Sequence, residues 1–155
     1  MALVAGLAGC QHPGAIATQP APFATDGCSL FPDRAGASDW RSCCVCHDLA
    51  YWRGGGAGER LEADRALRSC VGAAASPALS RLMYAGVRLA GGPYLPTPFR
   101  WGFGWPAGRG YQEINAQEEA QLAALHPAWV APPSTPAPAP LCEPASDQPS
   151  LHSGR

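Results

Sequence analysis

Apolar residues follow helical spacing in several parts of the chain, and no part shows the strict alternation of a half-buried strand. The first predicted helix begins at Asp39, where Ser38 or Asp39 itself can cap its free backbone N–H groups. The glycine-rich run Gly54–Gly58 ends this helix, because glycine readily leaves helical geometry. Between these ends, helical spacing relates Cys43, Cys44, His47 and Tyr51.

A second helix is predicted to begin at Glu59, and acidic residues in its first turn suit the positive end of the helix dipole. Its apolar stripe comprises Leu61, Leu67, Cys70 and Val71. Because only a short glycine turn separates the two helices, we expect them to pack as an antiparallel hairpin.

Two further helices carry recognisable end signals. Ser76 followed by a proline is a good N-cap and first helical position, and the glycine pair at Gly91 ends the helix that follows. Asn115 and Glu118 have the spacing of a capping box for a last helix that reaches about Leu125. The pattern therefore predicts a small, mainly α domain built on the helical hairpin.

Both ends of the chain differ from this helical domain, which we assign to residues 26–128. Residues 1–9 form a short apolar run that predicts an export signal, and residues 10–25 have the composition of a tether. The Leu-Ala-Gly-Cys run that ends at Cys10 resembles the lipobox of bacterial lipoproteins, which implies acylation of the Cys10 sulfur. Residues 129–155 are so rich in proline that we expect a disordered tail.

Charge and cysteine content narrow the possible partners and the compartment. The 11 basic residues are all arginine and face 12 acidic residues, so the net charge is −1 and nucleic acid is excluded as a partner. No apolar run is long enough to cross a bilayer. Six cysteines remain beyond Cys10, as expected for disulfides in an oxidising compartment. We therefore expect an exported protein, either secreted or anchored to a membrane.

The glycine turn brings polar residues of the two helices face to face. His47 and Asp64 lie at nearly equal distances from the turn, and so do Cys43 and Cys70. In an antiparallel hairpin, His47 is therefore opposite Asp64, as a base with its orienting carboxylate. The same geometry predicts a Cys43–Cys70 disulfide that joins the helices.

Two further side chains belong to this region of the first helix. Tyr51 lies one turn after His47 on the same face, so its hydroxyl can also reach Asp64. Asp48 projects about 100° round the helix from His47 and is available for a different role.

These residues resemble the secreted phospholipase A2 family. The first helix of that family carries paired cysteines, a His-Asp pair and a later tyrosine, which correspond here to Cys43-Cys44-Val45-Cys46-His47-Asp48-Leu49-Ala50-Tyr51. Its second helix carries an aspartate, an arginine and a later cysteine, which correspond to Ala63-Asp64-Arg65 with Cys70. Cys28 lies at the family's distance from Cys44, which implies a Cys28–Cys44 disulfide. The resemblance implies a catalytic group of His47, Asp64 and Tyr51, in which His47 activates a water that attacks the sn-2 ester of a phospholipid.

The resemblance also implies a calcium site and a phospholipid membrane surface as partner. Asp48 would bind Ca²⁺ together with backbone carbonyls of Gly27, Ser29 and Phe31. The loop departs from the family's glycine-rich pattern, since one glycine only, Gly27, precedes Gly36 in it. Cys46 and Cys142 are left over and are a candidate pair.

Three other readings use the same residues. Cys43, Cys46 and His47 also match the C-x-x-C-H pattern of c-type haem attachment, with Met83 as a possible distal ligand. Cys43, Cys46, His47 and Cys70 could bind zinc by ligand type. A phospholipase-like domain that binds lipid or protein without catalysis is the third reading.

Two groups of residues outside the hairpin can be explained by a purely structural role. The aromatic run Pro93–Pro106 is either an interfacial patch or a cap on the core. Arg81 and Arg88 lie seven residues apart on one helix, which is typical of a solvated face.

Overall fold

A computed structural model describes residues 19–125 together with Cys142. The predicted export signal, the Cys10 acylation site, the first part of the tether and the rest of the proline-rich tail lie outside the described residues. The described part is mainly helical, as predicted, with helices α1 (Arg41–Arg53), α2 (Ala57–Ala74), α3 (Pro77–Ala90) and α4 (Ala116–Leu125). No helix within these residues is long and apolar enough to cross a membrane.

A short β-ribbon precedes α1, where the sequence predicted no strand. Strands β1 (Arg34–Ala35) and β2 (Ser38–Asp39) pair antiparallel, with Arg34 opposite Asp39. Each strand has two residues, too few for alternation to be visible in the sequence. Because the ribbon occupies Asp39, α1 begins two residues later than predicted.

The glycine turn between α1 and α2 depends on residues that tolerate unusual backbone geometry. Gly54 has a φ of 73°, and a Cβ atom there would lie 3.0 Å from the Gly102 Cα. Glu59 accepts a hydrogen bond from the Gly56 N–H at 2.7 Å, so it caps the start of α2 instead of being its first residue. The second helix therefore begins at Ala57, earlier than predicted.

The predicted caps of the last two helices are present. The Ser76 hydroxyl accepts a hydrogen bond from the Leu79 N–H, with proline in the first helical position. Asn115 accepts from the Glu118 N–H at 3.0 Å, and Glu118 accepts from the Asn115 N–H at 3.1 Å. This reciprocal pair is the capping box that the sequence predicted.

Two apolar clusters form the core. The first lies between the hairpin and α3, and its buried residues are Cys28, Trp40, Cys43, Cys44, Leu67, Val71 and Met83. The second is centred on Trp52, Trp105 and Leu122. The Trp101 and Trp105 indole N–H groups donate to backbone carbonyls of Gly55 and Arg53. The two tryptophans of the aromatic run therefore belong to the core.

Part of the predicted tether packs against the domain. Ala21 accepts a hydrogen bond from the Trp52 indole N–H at 2.7 Å, and its own N–H donates to Gly104. The Phe23 ring makes an edge contact with Trp52, with ring centroids 5.7 Å apart. The packed domain thus extends several residues before residue 26, because the Phe23 side chain of the predicted tether packs against Trp52.

Three cysteine pairs lie at disulfide distance. Cys43 pairs with Cys70 across the hairpin, and Cys28 pairs with Cys44. Cys46 pairs with Cys142, the residue of the proline-rich tail that the structure describes. The first two bridges fix α2 and the segment around Cys28 onto α1.

Candidate active site

His47, Tyr51 and Asp64 meet in the interior of the hairpin. His47 Nε2 lies 2.8 Å from Asp64 Oδ1, and the Tyr51 hydroxyl donates to the same oxygen at 2.7 Å. The imidazole and phenol rings also contact each other, with centroids 4.2 Å apart. The structure therefore brings together the three side chains that the hairpin geometry predicted to meet.

Asp64 is fully buried and remains ionised. Burial opposes its charge, but hydrogen bonds from His47, Arg88 and Tyr51 outweigh burial and lower the pKa of Asp64 below its usual value. Because the carboxylate can only accept, His47 Nε2 carries a hydrogen and donates a hydrogen bond to Asp64. The other ring nitrogen, Nδ1, is then the basic one in the neutral imidazole.

Nδ1 of His47 is the ring nitrogen that Asp64 does not hold. Among the described residues, no group forms a hydrogen bond to Nδ1. Nδ1 is also absent from the polar atoms of these residues that are fully buried without a hydrogen-bond partner. His47 as a whole is 8 % exposed. The imidazole thus has one nitrogen fixed by a buried carboxylate and the other without a hydrogen-bond partner among the described residues.

Two arginines complete the surroundings of Asp64. The Arg88 guanidinium donates to Asp64 Oδ2 at 2.6 Å, so the sequence-based assignment of Arg88 to a solvated face is wrong. Arg60, which is buried, donates to the Tyr51 hydroxyl at 3.0 Å and lies 3.8 Å from Asp64. Each oxygen of the carboxylate is therefore held by at least one donor.

The sequence held a signal for one of these arginines and not for the other. Arg60 lies four residues before Asp64 on one helix, a spacing that places oppositely charged side chains together. Arg88 comes from α3, and no local spacing relates it to Asp64. Its role depends on how α3 packs against α2.

Tyr51 is held in place by tight packing. A Cβ atom at Gly91 would lie 2.6 Å from the Tyr51 ring, so glycine at this position makes room for the phenol. Trp101 makes an edge contact with the ring at a centroid distance of 5.0 Å. Burial raises the pKa of Tyr51 above its usual value, so the hydroxyl stays protonated and acts as a donor.

Asp48 projects away from the His47–Asp64 pair, as predicted, and faces the segment before α1. It accepts a hydrogen bond from the Thr25 hydroxyl at 2.6 Å, a contact that the sequence did not reveal. Burial raises the pKa of Asp48 to about 6, and the nearby charge of Asp26 acts in the same direction. A desolvated carboxylate beside a second carboxylate favours the presence of a cation.

The loop at residues 26–33 lies next to Asp48 and is held at several points. Gly27 has a φ of 85° and Ser29 a φ of 26°, and the Phe31 N–H donates to the Cys28 carbonyl at 2.6 Å. Asp33 accepts from the Cys28 N–H at 2.9 Å and pairs with Arg41. Hydrogen bonds to Cys28 and Arg41 lower the pKa of Asp33 below its usual value.

The donor set of this loop suits calcium better than a transition metal. Within the described residues, the carbonyls of Gly27, Ser29 and Phe31 accept no backbone hydrogen bond, whereas the intervening Cys28 carbonyl does. No group of three or more His, Cys, Asp or Glu side chains that could hold a metal occurs among those residues. One carboxylate with free carbonyls is a hard-oxygen set, which fits Ca²⁺.

The disulfides argue against the haem and zinc readings. Haem attachment needs the thiols of Cys43 and Cys46, and both sulfurs are in disulfides. A zinc site would need the Cys70 thiolate as well, and Nε2 of His47 already donates to Asp64.

No family model, curated protein or solved structure matches this chain. A functional assignment therefore depends on the site's own geometry and on the resemblance of its motifs.

Proposed function

We propose that this protein is a calcium-dependent esterase of the phospholipase A2 type, which hydrolyses the sn-2 acyl ester of phospholipids. The observation that carries the proposal is the state of His47, whose Nε2 donates to a buried, ionised carboxylate while Nδ1 has no hydrogen-bond partner among the described residues. A base of this kind can take a proton from a water without losing its orientation.

The reaction would begin with a water placed at His47 Nδ1. As the water oxygen attacks the ester carbonyl, Nδ1 takes its proton, and the imidazolium that forms is stabilised by Asp64 at 2.8 Å. The same proton then passes to the leaving alkoxide. Tyr51 and Arg88 act as positioning residues, because they hold Asp64 and do not face the reacting atoms.

The ligands proposed for calcium are Asp48 and the carbonyls of Gly27, Ser29 and Phe31. Bound there, Ca²⁺ would neutralise the substrate phosphate and the oxyanion that develops on the ester carbonyl. The fit rests on the hard-oxygen donor set and on the partly desolvated state of Asp48. Thr25 orients this carboxylate through the hydrogen bond that its hydroxyl donates.

The proposed partner is a phospholipid surface, and the loop offers an apolar contact for it. Leu30 lies between the proposed ligands Ser29 and Phe31 and is 77 % exposed. Leu89 at the end of α3 and Tyr94 after it are similarly exposed. Exposed large apolar side chains such as these suit a membrane interface, because contact with lipid removes them from water.

The test is release of fatty acid from a phospholipid that carries a distinguishable acyl chain at sn-2. We expect release with added calcium and none with a chelator. His47→Gln should lower turnover by roughly 100-fold or more. The glutamine amide can still donate to Asp64, so a thermal melt should show a folded protein.

Glu62→Gln is the matched control, because Glu62 is an exposed carboxylate of α2 outside the site. It should hydrolyse like the unaltered protein, whereas Asp48→Asn should lose most of its calcium-dependent activity. A folded, unaltered protein that binds vesicles but releases no fatty acid would contradict the esterase proposal in favour of a lipid-binding module.

A further inference from the structure

A second polar concavity lies between α2 and α3, outside the cluster around Asp64. This arginine groove has a volume of about 370 Å³, and its polar and small lining residues are Arg65, Arg68, Ser69, Gly72, Ser80 and Arg81. None of them belongs to the proposed catalytic or calcium-binding residues. The groove is therefore a separate candidate for ligand binding.

Its charge is entirely positive. Arg65, Arg68 and Arg81 take part in none of the ion pairs found in the described part of the chain. No described carboxylate lines the groove. In a chain with a net charge of −1, three cations in one concavity without an acidic partner among the described residues mark a place for an anion.

Two of the three guanidinium groups are held in place within the protein. Arg81 Nε donates to the Pro77 carbonyl at 3.0 Å, which leaves its two terminal nitrogens for a ligand. The Arg68 guanidinium lies over the Tyr84 ring, 5.4 Å from its centroid. Because these side chains are already oriented, an anion that binds them loses less conformational entropy.

The groove also lies at the first turn of α3, the positive end of that helix's dipole. Ser76 caps the Leu79 N–H, and in the described residues no group accepts from the Ala78 N–H. The positive end of the helix dipole adds to the attraction of the arginines for an anion. The helix end supplements the arginines and does not by itself define the site.

Gly72 and Ser80 keep the floor of the groove open. A Cβ atom at Gly72 would lie 3.4 Å from the Ser80 hydroxyl oxygen, at the limit of normal contact. The buried Ser80 hydroxyl donates its hydrogen to the Pro77 carbonyl. A larger residue at Gly72 would therefore fill space that an anion could occupy.

We propose that the arginine groove binds a phosphate group. Planar guanidinium forks match the tetrahedral oxygens of phosphate, and several of them compensate the two negative charges of a phosphate monoester. The phosphate could belong to a lipid headgroup or to a soluble molecule, and binding experiments distinguish the two. The proposal does not depend on the esterase function.

The test is calorimetric titration of the oxidised full-length chain with inorganic phosphate, in the presence of a chelator so that calcium cannot mediate binding. We expect saturable uptake. Arg68→Gln should raise the Kd by at least about tenfold, since a charge-assisted hydrogen bond is a strong one. Ser69→Asp should have a similar effect, because it places a negative charge in the groove.

Arg34→Gln is the matched control, because Arg34 is an exposed arginine of β1 outside the described ion pairs and outside the groove. It removes one positive charge of the same kind and should leave the Kd within about twofold. Equal weakening by Arg34→Gln would overturn the proposal in favour of general charge attraction.

The source of the phosphate is settled by a second titration with vesicles, using the His47→Gln variant with a chelator so that hydrolysis of the lipid is minimised. Vesicles of phosphatidylcholine with phosphatidic acid are compared with phosphatidylcholine alone. Binding that requires phosphatidic acid and the groove arginines identifies a lipid headgroup, whereas binding of inorganic phosphate alone identifies a soluble ligand. If neither probe binds, the proposal is wrong.

Discussion

The helical hairpin and the loop at residues 26–33 supply the two halves of the proposed site, and they hold their functional groups in different ways. In the hairpin, Asp64 is fully buried, and donors from α1, α2 and α3 surround its carboxylate. In the loop, the carbonyls proposed for calcium are held by one disulfide and by the half-exposed contacts of Asp33.

The comparison indicates that the two halves should respond differently to change. Removal of one partner in a buried ionic cluster leaves other buried charges without compensation, so the free energy of unfolding of the whole domain falls. Loss of an exposed contact in the loop is largely replaced by water, so the cost stays local. We therefore expect stability to depend on the hairpin and metal-dependent activity to depend on the loop.

The largest effect on stability is expected for Asp64→Ala. It removes the partner of Arg88 and of the buried Arg60, and such a loss typically costs about 3–5 kcal/mol. Urea unfolding at neutral pH measures the change. Glu62→Ala on the same helix is the control and should change the free energy of unfolding by less than about 0.5 kcal/mol. Equal effects of the two variants would contradict the central role given to Asp64.

The next largest loss of stability is expected when a single disulfide is removed. Cys43→Ser with Cys70→Ser opens a loop of 27 residues, and Cys28→Ser with Cys44→Ser opens one of 16. Each loss should cost about 2–4 kcal/mol, with the longer loop costing about 0.5 kcal/mol more by chain entropy.

Activity should separate these two disulfide variants more sharply than stability does. The Cys28–Cys44 variant, once folded, should need more calcium for hydrolysis, because this bridge fixes the loop beside Asp48. The Cys43–Cys70 variant should keep its calcium requirement. A calcium titration of fatty-acid release that finds the same shift in both variants would contradict the division between hairpin and loop.

Acid should weaken the hairpin through Asp64. Because the folded-state pKa of Asp64 is lowered, its contribution to stability is complete above the pKa of an unfolded aspartate, about 4, and is lost as pH falls through the folded-state value. The free energy of unfolding of the unaltered protein should therefore exceed that of Asp64→Asn at pH 7, and the gap should narrow below pH 4. A gap that stays constant between pH 7 and pH 2 would be inconsistent with this linkage.

The smallest effect is expected for Asp33→Ala in the loop. Asp33 accepts from the Cys28 N–H, so its loss should speed hydrogen exchange of that amide, while the urea midpoint of the domain stays the same. Asp39→Ala, which removes an acceptor for the Arg41 N–H instead, is the control and should leave the Cys28 amide unaffected. A clear shift of the unfolding midpoint in Asp33→Ala would show that the loop and the hairpin unfold together.

Sequence reasoning predicted the helical elements well because their signals are local. The caps at Ser76 and Asn115 depend on residues three positions away, and the glycine turn fixes which positions of α1 and α2 face each other. The meeting of His47 with Asp64 and of Cys43 with Cys70 follows from that turn.

Two of the misses come from contacts between segments that are distant in sequence. Thr25 reaches Asp48 from 23 residues away, and Phe23 packs on Trp52 from the predicted tether. The two-residue strands of the ribbon pair through backbone groups, which leave no side-chain pattern to read.

The amino-acid sequence by itself thus determined the helices, the hairpin, and the pairing of a base with a carboxylate, because helical period and turn position are local properties. Only the tertiary structure decided the electrostatic state of the site. The packing of α3 places Arg88 on Asp64, and burial together with the nearby Thr25 and Asp26 sets the pKa of Asp48. Burial and distant charges set the pKa of a group, and neither is fixed until the whole chain has packed.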